Sequence, residues 1–298
     1  MTYSYIIITP ARNEEAYIEQ TIQSMIVQTI LPARWVIVSD GSTDRTDAIV
    51  GKYAKDRPWM ELLRMPERCD RTFAAKARCF NAACELLNDM PHDIIGNLDA
   101  DITFGPDYFE YLLDKFAEYP GLGVAGTPFV EDGSAPYDYR VANIEHVSGA
   151  CQLFRRECFE EIGGYVPIKA GGIDWVAVTT ARMKGWQTRT FTDRTCFHHR
   201  KMGTAKGSIY SAKFRLGRED YYLGGHPLWA VLRAVSQMRH KPYVLGGLFL
   251  LLGYVTSAAK RIERPVSPEL LHFCRKEQMQ RLRRMLSKSI GSSERSSC

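Results

Sequence analysis

The first hundred residues switch between two hydrophobic periods. YIIIT (residues 5–9) is a short apolar run rich in β-branched side chains, and RWVIVSD (34–40) repeats that pattern before closing on an acid, so both predict buried strands. Between them, EEAYIEQTIQSMIVQT sets Ile18, Ile22, Met25 and Ile26 at helical spacing, with Glu14 and Glu15 as a charged first turn. TDRTDAIVGKYAKD predicts a second helix with Thr43 or Asp44 as its N-cap, a third helix covers about 73–87, and a third strand covers 93–98. Strand and helix in alternation predict an α/β fold, a mostly parallel sheet with helices on both faces. Such sheets bind ligands beyond the carboxyl ends of their strands.

That rule gathers the unusual polar residues, because Thr9, Asp40 and Asp99 each close an apolar strand. In NLDADIT (97–103), Asp99 and Asp101 stand two residues apart where the strand gives way to a loop. Two such carboxylates can turn toward one divalent cation, and hard oxygen ligands suit Mg²⁺ or Mn²⁺, which also take phosphate oxygens. The other reading of the pair is a solvated turn, and for Asp40 a turn or cap acid before GSTD. No GxxxxGK[ST] occurs, so a P-loop is excluded.

Composition narrows the class. With 298 residues, 45% hydrophobic and 24% charged, the chain can bury a full core. The opening MTYSYIIITPARNEE has no basic segment and only a short apolar run, which predicts a protein that starts in the cytosol. Eight cysteines without CxxC spacing predict reduced core thiols. The net charge of +5 is unevenly spread: residues 200–298 hold 19 Lys and Arg against 6 Asp and Glu, or +13, and the preceding 199 residues hold 20 against 28, or −8. A basic, partly apolar end suits an anionic membrane surface; no nucleic-acid partner is expected.

TPARNEE (9–15), VSDGSTDRT (38–46), NLDADIT and GIDWVAVTTARMKGW (172–186) together resemble family 2 glycosyltransferases of the GT-A, Rossmann-like fold. The resemblance covers roughly the first 200 residues and implies a glycosyltransferase domain over 1–199. Its 1–103 half would bind a nucleotide-diphosphate sugar and its 104–199 half an acceptor. On that basis Thr9, Ala11 and Asp40 would hold base and ribose, Asp99 would lie near ribose and metal, and Asp101 would ligate the metal bridging the diphosphate. Arg71, Lys76 and Arg78 would approach base or phosphates, or else form a solvated helix face. The family's Glu-Asp pair falls on Ile173 and Asp174, leaving Asp174 as general base of a single inverting displacement; it also reads as N-cap of a helix from Trp175. Gly149 would let a sugar approach closely, and Gln152 reads as an acceptor contact or a strand-edge amide. His198 or His199 would add a metal contact, with Arg200 or Lys201 on the phosphates. No QxxRW follows, which sets the chain apart from processive polysaccharide synthases.

Beyond that domain, PYVLGGLFLLLGYVTSAA (242–259) is an uncharged run of 18 residues with cations on both sides. Its length is at the lower limit for spanning a bilayer, and the flanking charges predict a helix or hairpin lying in the membrane interface, or a buried core helix. HPLWAVLRAVSQM, with Trp229, has an amphipathic pattern consistent with the same surface. Residues 200–275 thus read as a basic, apolar helical extension, peripheral or monotopic on the inner face of the cell membrane, and 276–298 as a basic helix ending in a disordered tail. The expected function is sugar transfer from the nucleotide donor to a lipid-linked glycan acceptor in cell-surface polysaccharide synthesis. A sugar-phosphate nucleotidyltransferase would carry a glycine-rich basic loop where TPARNEE stands, and an inactive nucleotide-sugar-binding protein would have no need of Asp99, Asp101 and Asp174 together.

Overall fold

A computed structural model describes residues 3–66, 73–131, 143–200 and 208–294. Two compact units divide the chain, residues 1–201 and 202–298. The first contains, in chain order, β1 (Tyr5–Ala11), α1 (Ile18–Ile26), β2 (Arg34–Ser39), α2 (Thr46–Ala54), β3 (Met60–Arg64), α3 (Phe73–Leu86), β4 (Ile94–Leu98), β5 (Ile102–Phe104), α4 (Tyr108–Glu118) and β6 (Leu122–Gly126). It continues with β7 (Phe129–Glu131), β8 (Cys151–Arg155), α5 (Arg156–Glu161), α6 (Ile173–Met183), β9 (Gln187–Thr190) and β10 (Cys196–His198).

The main sheet has seven strands in the order β3-β2-β1-β4-β8-β6-β9. β1 lies parallel to both β2 and β4, so Ala11, Ser39 and Leu98 all end at one edge. Period-two alternation divides the buried strands between two layers. Tyr5, Ile7, Trp35 and Ile37 join Ile18, Ile22, Phe109 and Phe116 in one core, while α3 packs against β1 and β2. β8 runs antiparallel to β4 and β6, a reversal that hydrophobic periodicity does not encode. A second sheet, β5-β10-β7, places His198 opposite Ile102 on one side and Glu131 on the other. This register carries the chemistry described below.

Helix starts differ in detail from the sequence expectation. α2 begins at Thr46 with Arg45 in the cap position, and Asp44 Oδ1 accepts the Thr46 N–H at 3.0 Å from one residue further out. Glu14 and Glu15 precede α1, which starts only at Ile18.

The second unit holds α7 (Ile209–Tyr222), α8 (Pro227–Gln237), α9 (Leu245–Ala259) and α10 (Pro268–Glu294). α10 continues as helix through most of the segment expected to fray into a tail. α9 buries its small residues, Gly246, Gly247, Gly253 and Ser257, which lets α7 cross it at backbone distance. A Cβ on Gly217 would collide with the Leu250 carbonyl, and one on Gly253 with the Phe214 carbonyl. At 1.5 Å per residue α9 rises about 22 Å, short of the ~30 Å hydrocarbon layer. Among the described residues no helix is long and apolar enough to cross a membrane.

Gly217→Ala or Gly253→Ala should therefore lower stability by about 1–3 kcal/mol through overpacking, outweighing the gain of up to ~1 kcal/mol in helix propensity. Chemical denaturation checks this; an unchanged midpoint would mean that the helices do not meet at these glycines.

Candidate active site

The site grows from the shared strand edge. The 11–15 turn after β1 is laced to the 42–46 turn after β2. Asn13, in a left-handed conformation at φ 56°, accepts the Thr43 N–H at 2.9 Å, and the Glu14 N–H donates to Thr46 Oγ1 at 2.8 Å. Asp40 is buried, donates its N–H to the Ala11 carbonyl at 2.9 Å and pairs through Oδ2 with Arg12 Nη1 at 3.2 Å. Thr9 is wholly buried, and its hydroxyl accepts the Trp35 indole N–H at 2.9 Å, so that side chain serves the core beneath the edge.

Two networks continue from β4. In the first, Lys76 Nζ contacts Asp99 Oδ1 and donates to the Gly149 carbonyl at 3.3 Å, which also accepts Asn97 Nδ2 at 2.6 Å. The other side of the same residue completes the clamp, as the Gly149 N–H donates to Asp174 Oδ2 at 3.1 Å. A Cβ on Gly149 would lie 3.0 Å from Asp174 Oδ2, so the glycine makes room for this carboxylate, rather than for a sugar as the sequence led one to expect. Asp174 is not an N-cap: α6 starts at Ile173 after left-handed Gly172, and Asp174 sits in its first turn. Gln152 is fully buried, donating to the Val147 carbonyl at 2.8 Å and accepting from the Tyr165 hydroxyl at 2.5 Å, which makes it a core amide and no acceptor contact.

The second network centres on Asp101. His198 Nε2 lies 3.5 Å from Asp101 Oδ2, while His198 Nδ1 meets Glu131 Oε1 at 3.1 Å. Arg200 reaches the same Asp101 oxygen with Nε at 3.6 Å and pairs its terminal nitrogen with Glu14. His199 turns away, its Nε2 3.0 Å from Thr103 Oγ1 and its ring stacked 6.0 Å from Tyr17. The two histidines thus have different surroundings, and of the two it is His198 whose ring lies against the Asp101 carboxylate.

The charges are in tension. Burial pushes the Glu14 carboxyl up to about 7; Arg200 opposes the rise, while Asp101 and Asp99 add to it. Burial likewise raises Asp99, opposed by Lys76 and reinforced by Asp101. His199 is lowered, chiefly by burial. Glu14 was expected in an exposed helical turn and is instead 9% exposed within the site. Glu131 and Arg12 were not singled out from sequence, because each acquires its role only through a partner brought close by the fold. Arg71 and Lys201 lie outside the described residues.

The donor set suits a hard divalent cation in part. Among the described residues no three His, Cys, Asp or Glu side chains converge into a ready metal cage. Asp101 and His198 nevertheless present an oxygen and a nitrogen 3.5 Å apart, and Glu131 holds the second ring nitrogen as carboxylates do behind metal-bound histidines. A cation gripped by two protein ligands leaves room for phosphate oxygens and water, as Mg²⁺ and Mn²⁺ commonly require.

Several known proteins are similar to this chain in sequence or fold. The succinoglycan biosynthesis protein ExoA of Rhizobium meliloti is 28% identical over 181 residues, 54% of this chain and 53% of that protein. A glucosyl-dolichyl phosphate glucuronosyltransferase of Haloferax volcanii is 22% identical over 184 residues, 55% of this chain and 56% of its own. The chondroitin synthase of Pasteurella multocida is 30% identical over 110 residues, 37% of this chain but only 10% of that protein. The chain therefore spans from a tenth to about half the length of these curated relatives. Among solved structures, the mannosyltransferase PcManGT of Pyrobaculum calidifontis, in complex with GDP-Man and Mn²⁺, matches with a TM-score of 0.57 at 20% identity, covering 90% of this chain and 78% of that one. S. aureus TarS 1-349 with UDP-GlcNAc matches with a TM-score of 0.56 at 14% identity, covering 91% and 78%. These likenesses show a shared fold with GT-A enzymes. The family model for glycosyl transferase family 2 matches residues 6–165, more than half of the chain, and the protein belongs to that family.

Proposed function

We propose that this protein is an inverting, metal-dependent glycosyltransferase that moves a sugar from a nucleotide-diphosphate donor to an acceptor hydroxyl. The observation that carries this reading is the Asp101–His198–Glu131 arrangement just beyond the carboxyl end of β4, which sets an oxygen and a nitrogen ligand 3.5 Å apart with a carboxylate behind the imidazole. Bound there, Mg²⁺ or Mn²⁺ would neutralise the charge that grows on the departing diphosphate. Asp101 and His198 would hold the cation, and Glu131 would fix the His198 tautomer so that Nε2 keeps its lone pair for ligation. Asp40, paired with Arg12 beside the Ala11 backbone, would line the base and ribose, and Arg200 would be free to leave Glu14 for a phosphate.

Asp174 would act as general base. Gly149 occupies Oδ2 and orients the carboxylate, and the other oxygen would take the proton of the acceptor hydroxyl. The acceptor oxygen then bonds to the anomeric carbon as the carbon–oxygen bond to the diphosphate breaks on the opposite face, releasing the nucleoside diphosphate and inverting the centre. Lys76 would serve this step by tying Asp99 to the Gly149 carbonyl, coupling the donor side of the cleft to the base.

For the acceptor, the proposal is a lipid-linked glycan intermediate of polysaccharide synthesis, handled at a membrane surface. The named actions of the succinoglycan and dolichyl phosphate relatives support this class, as does the basic character of residues 200–298.

With UDP- and GDP-sugars and Mn²⁺, the protein should release nucleoside diphosphate; silence with every donor would remove the reading. Asp101→Asn should weaken Mn²⁺ binding in calorimetry by more than the roughly 10–100-fold that changes behind a ligand cost, and undiminished affinity would displace the metal from Asp101. Glu131→Ala should cost about 10–100-fold in Mn²⁺ affinity with Glu131→Gln recovering part of it, whereas equal affinity in all three proteins would deny Glu131 its orienting role. Asp174→Asn should keep donor affinity and lower kcat by about 10²–10⁴-fold; normal turnover would assign the base elsewhere.

A further inference from the structure

α9 is built inside out for a helix in water. Its buried face is mostly glycine and serine, with Leu250 and Tyr254 among them, whereas its leucines and valine at 248, 252 and 255 recur along the opposite, exposed face. α8 repeats the arrangement, burying Ala230 and Ala234 and turning Leu228, Val231 and Val235 outward. These six large aliphatic residues are 46–58% exposed. The two helices pack against each other, and the turn between them adds exposed Tyr243 and Val244, so apolar surface follows the hairpin from one helix to the other. Packing within the unit does not explain this surface, since the inner faces are already filled at backbone distance.

Charge identifies the occupant. Residues 221–262 contain no Asp or Glu and five Lys or Arg: Arg233, Arg239, Lys241, Lys260 and Arg261. Arg239 and Lys241 are exposed at the turn, and Lys260 and Arg261 at the far end of α9. A second copy of the chain would bring like charges against these cations, whereas anionic lipid headgroups would complement them. Interfacial helices bind through this pairing of an apolar face with a cationic margin.

We propose that the α8–α9 hairpin is a monotopic docking surface for an anionic phospholipid bilayer, with the outer faces of both helices seated at the headgroup–acyl boundary and the flanking cations on the phosphates. This deepens the membrane-surface part of the proposed function, yet it stands on residues remote in sequence from Asp101 and Asp174.

The test is co-sedimentation of the full chain with vesicles of phosphatidylcholine alone or mixed with phosphatidylglycerol. Pelleting is expected with the mixed vesicles, falling as salt rises. Val231→Glu combined with Leu252→Glu should reduce it by roughly tenfold or more while circular dichroism stays native. Val27→Glu, an equally exposed aliphatic position in the first unit, should pellet as the native protein does. No pelleting, equal pelleting with neutral vesicles, or native behaviour of the double variant would each overturn the proposal. So would a dimer in solution that the double variant converts to monomer, since the occupant would then be a second copy. Asp101→Asn should leave pelleting intact, and the double variant should leave Mn²⁺ affinity intact, so the transfer reading and the docking surface can fail separately.

Discussion

Electrostatic repulsion among carboxylates governs the site. Asp99, Asp101, Glu14 and Glu131 converge on one edge, and at an effective dielectric constant of about 20 two such charges 4 Å apart repel by about 4 kcal/mol. The protein contains this by sharing partners: Lys76 faces Asp99, Arg200 spans Glu14 and Asp101, and the His198 ring bridges Asp101 and Glu131. Asp101 is the node where two of these partners meet. Glu14 rises to about 7 chiefly through burial, and Asp101 and Asp99 add to that rise against the opposing Arg200. A divalent cation would relieve the repulsion that remains, which gives the acids a reason to be together.

The fold delivers these groups through two registers. In the main sheet, parallel alignment of β1, β2 and β4 brings Ala11, Asp40 and Asp99 to one edge. In the small sheet, β10 sets His198 between Ile102 and Glu131, and the Asp101 carbonyl then accepts the His199 N–H at 3.0 Å. A slip of one residue in β10 would exchange His198 for a neighbour and turn its ring to the opposite face. The Gly149 peptide performs the corresponding task for the proposed base, receiving Lys76 and Asn97 on its carbonyl and holding Asp174 with its N–H.

Much of this was legible in the sequence where the signal is local. The β-branched runs of β1 and β2, the helical spacing of Ile18, Ile22 and Met25, and the acids closing β4 are all patterns within a few residues. What escaped depends on distant partners. Glu14 is a surface acid by its neighbours and becomes a buried one in the fold, where it is tied to Thr46 and to Arg200, 186 residues away. Glu131 acquires significance across 67 residues from His198. The short strand MELLR and the reversed direction of β8 were missed because a five-residue run at a sheet edge carries little periodicity and none at all about orientation. Gly149 was recognised as a close-approach position, but what approaches it is set by α6.

The most direct measurement is pulsed electron paramagnetic resonance on Mn²⁺ bound with a nucleoside diphosphate. If Asp101 and His198 hold the ion, nitrogen modulation from a directly bound imidazole appears in the native protein and disappears in His198→Ala, with His199→Ala unchanged. Bound Mn²⁺ with no imidazole nitrogen, or modulation that survives loss of His198, would contradict the account.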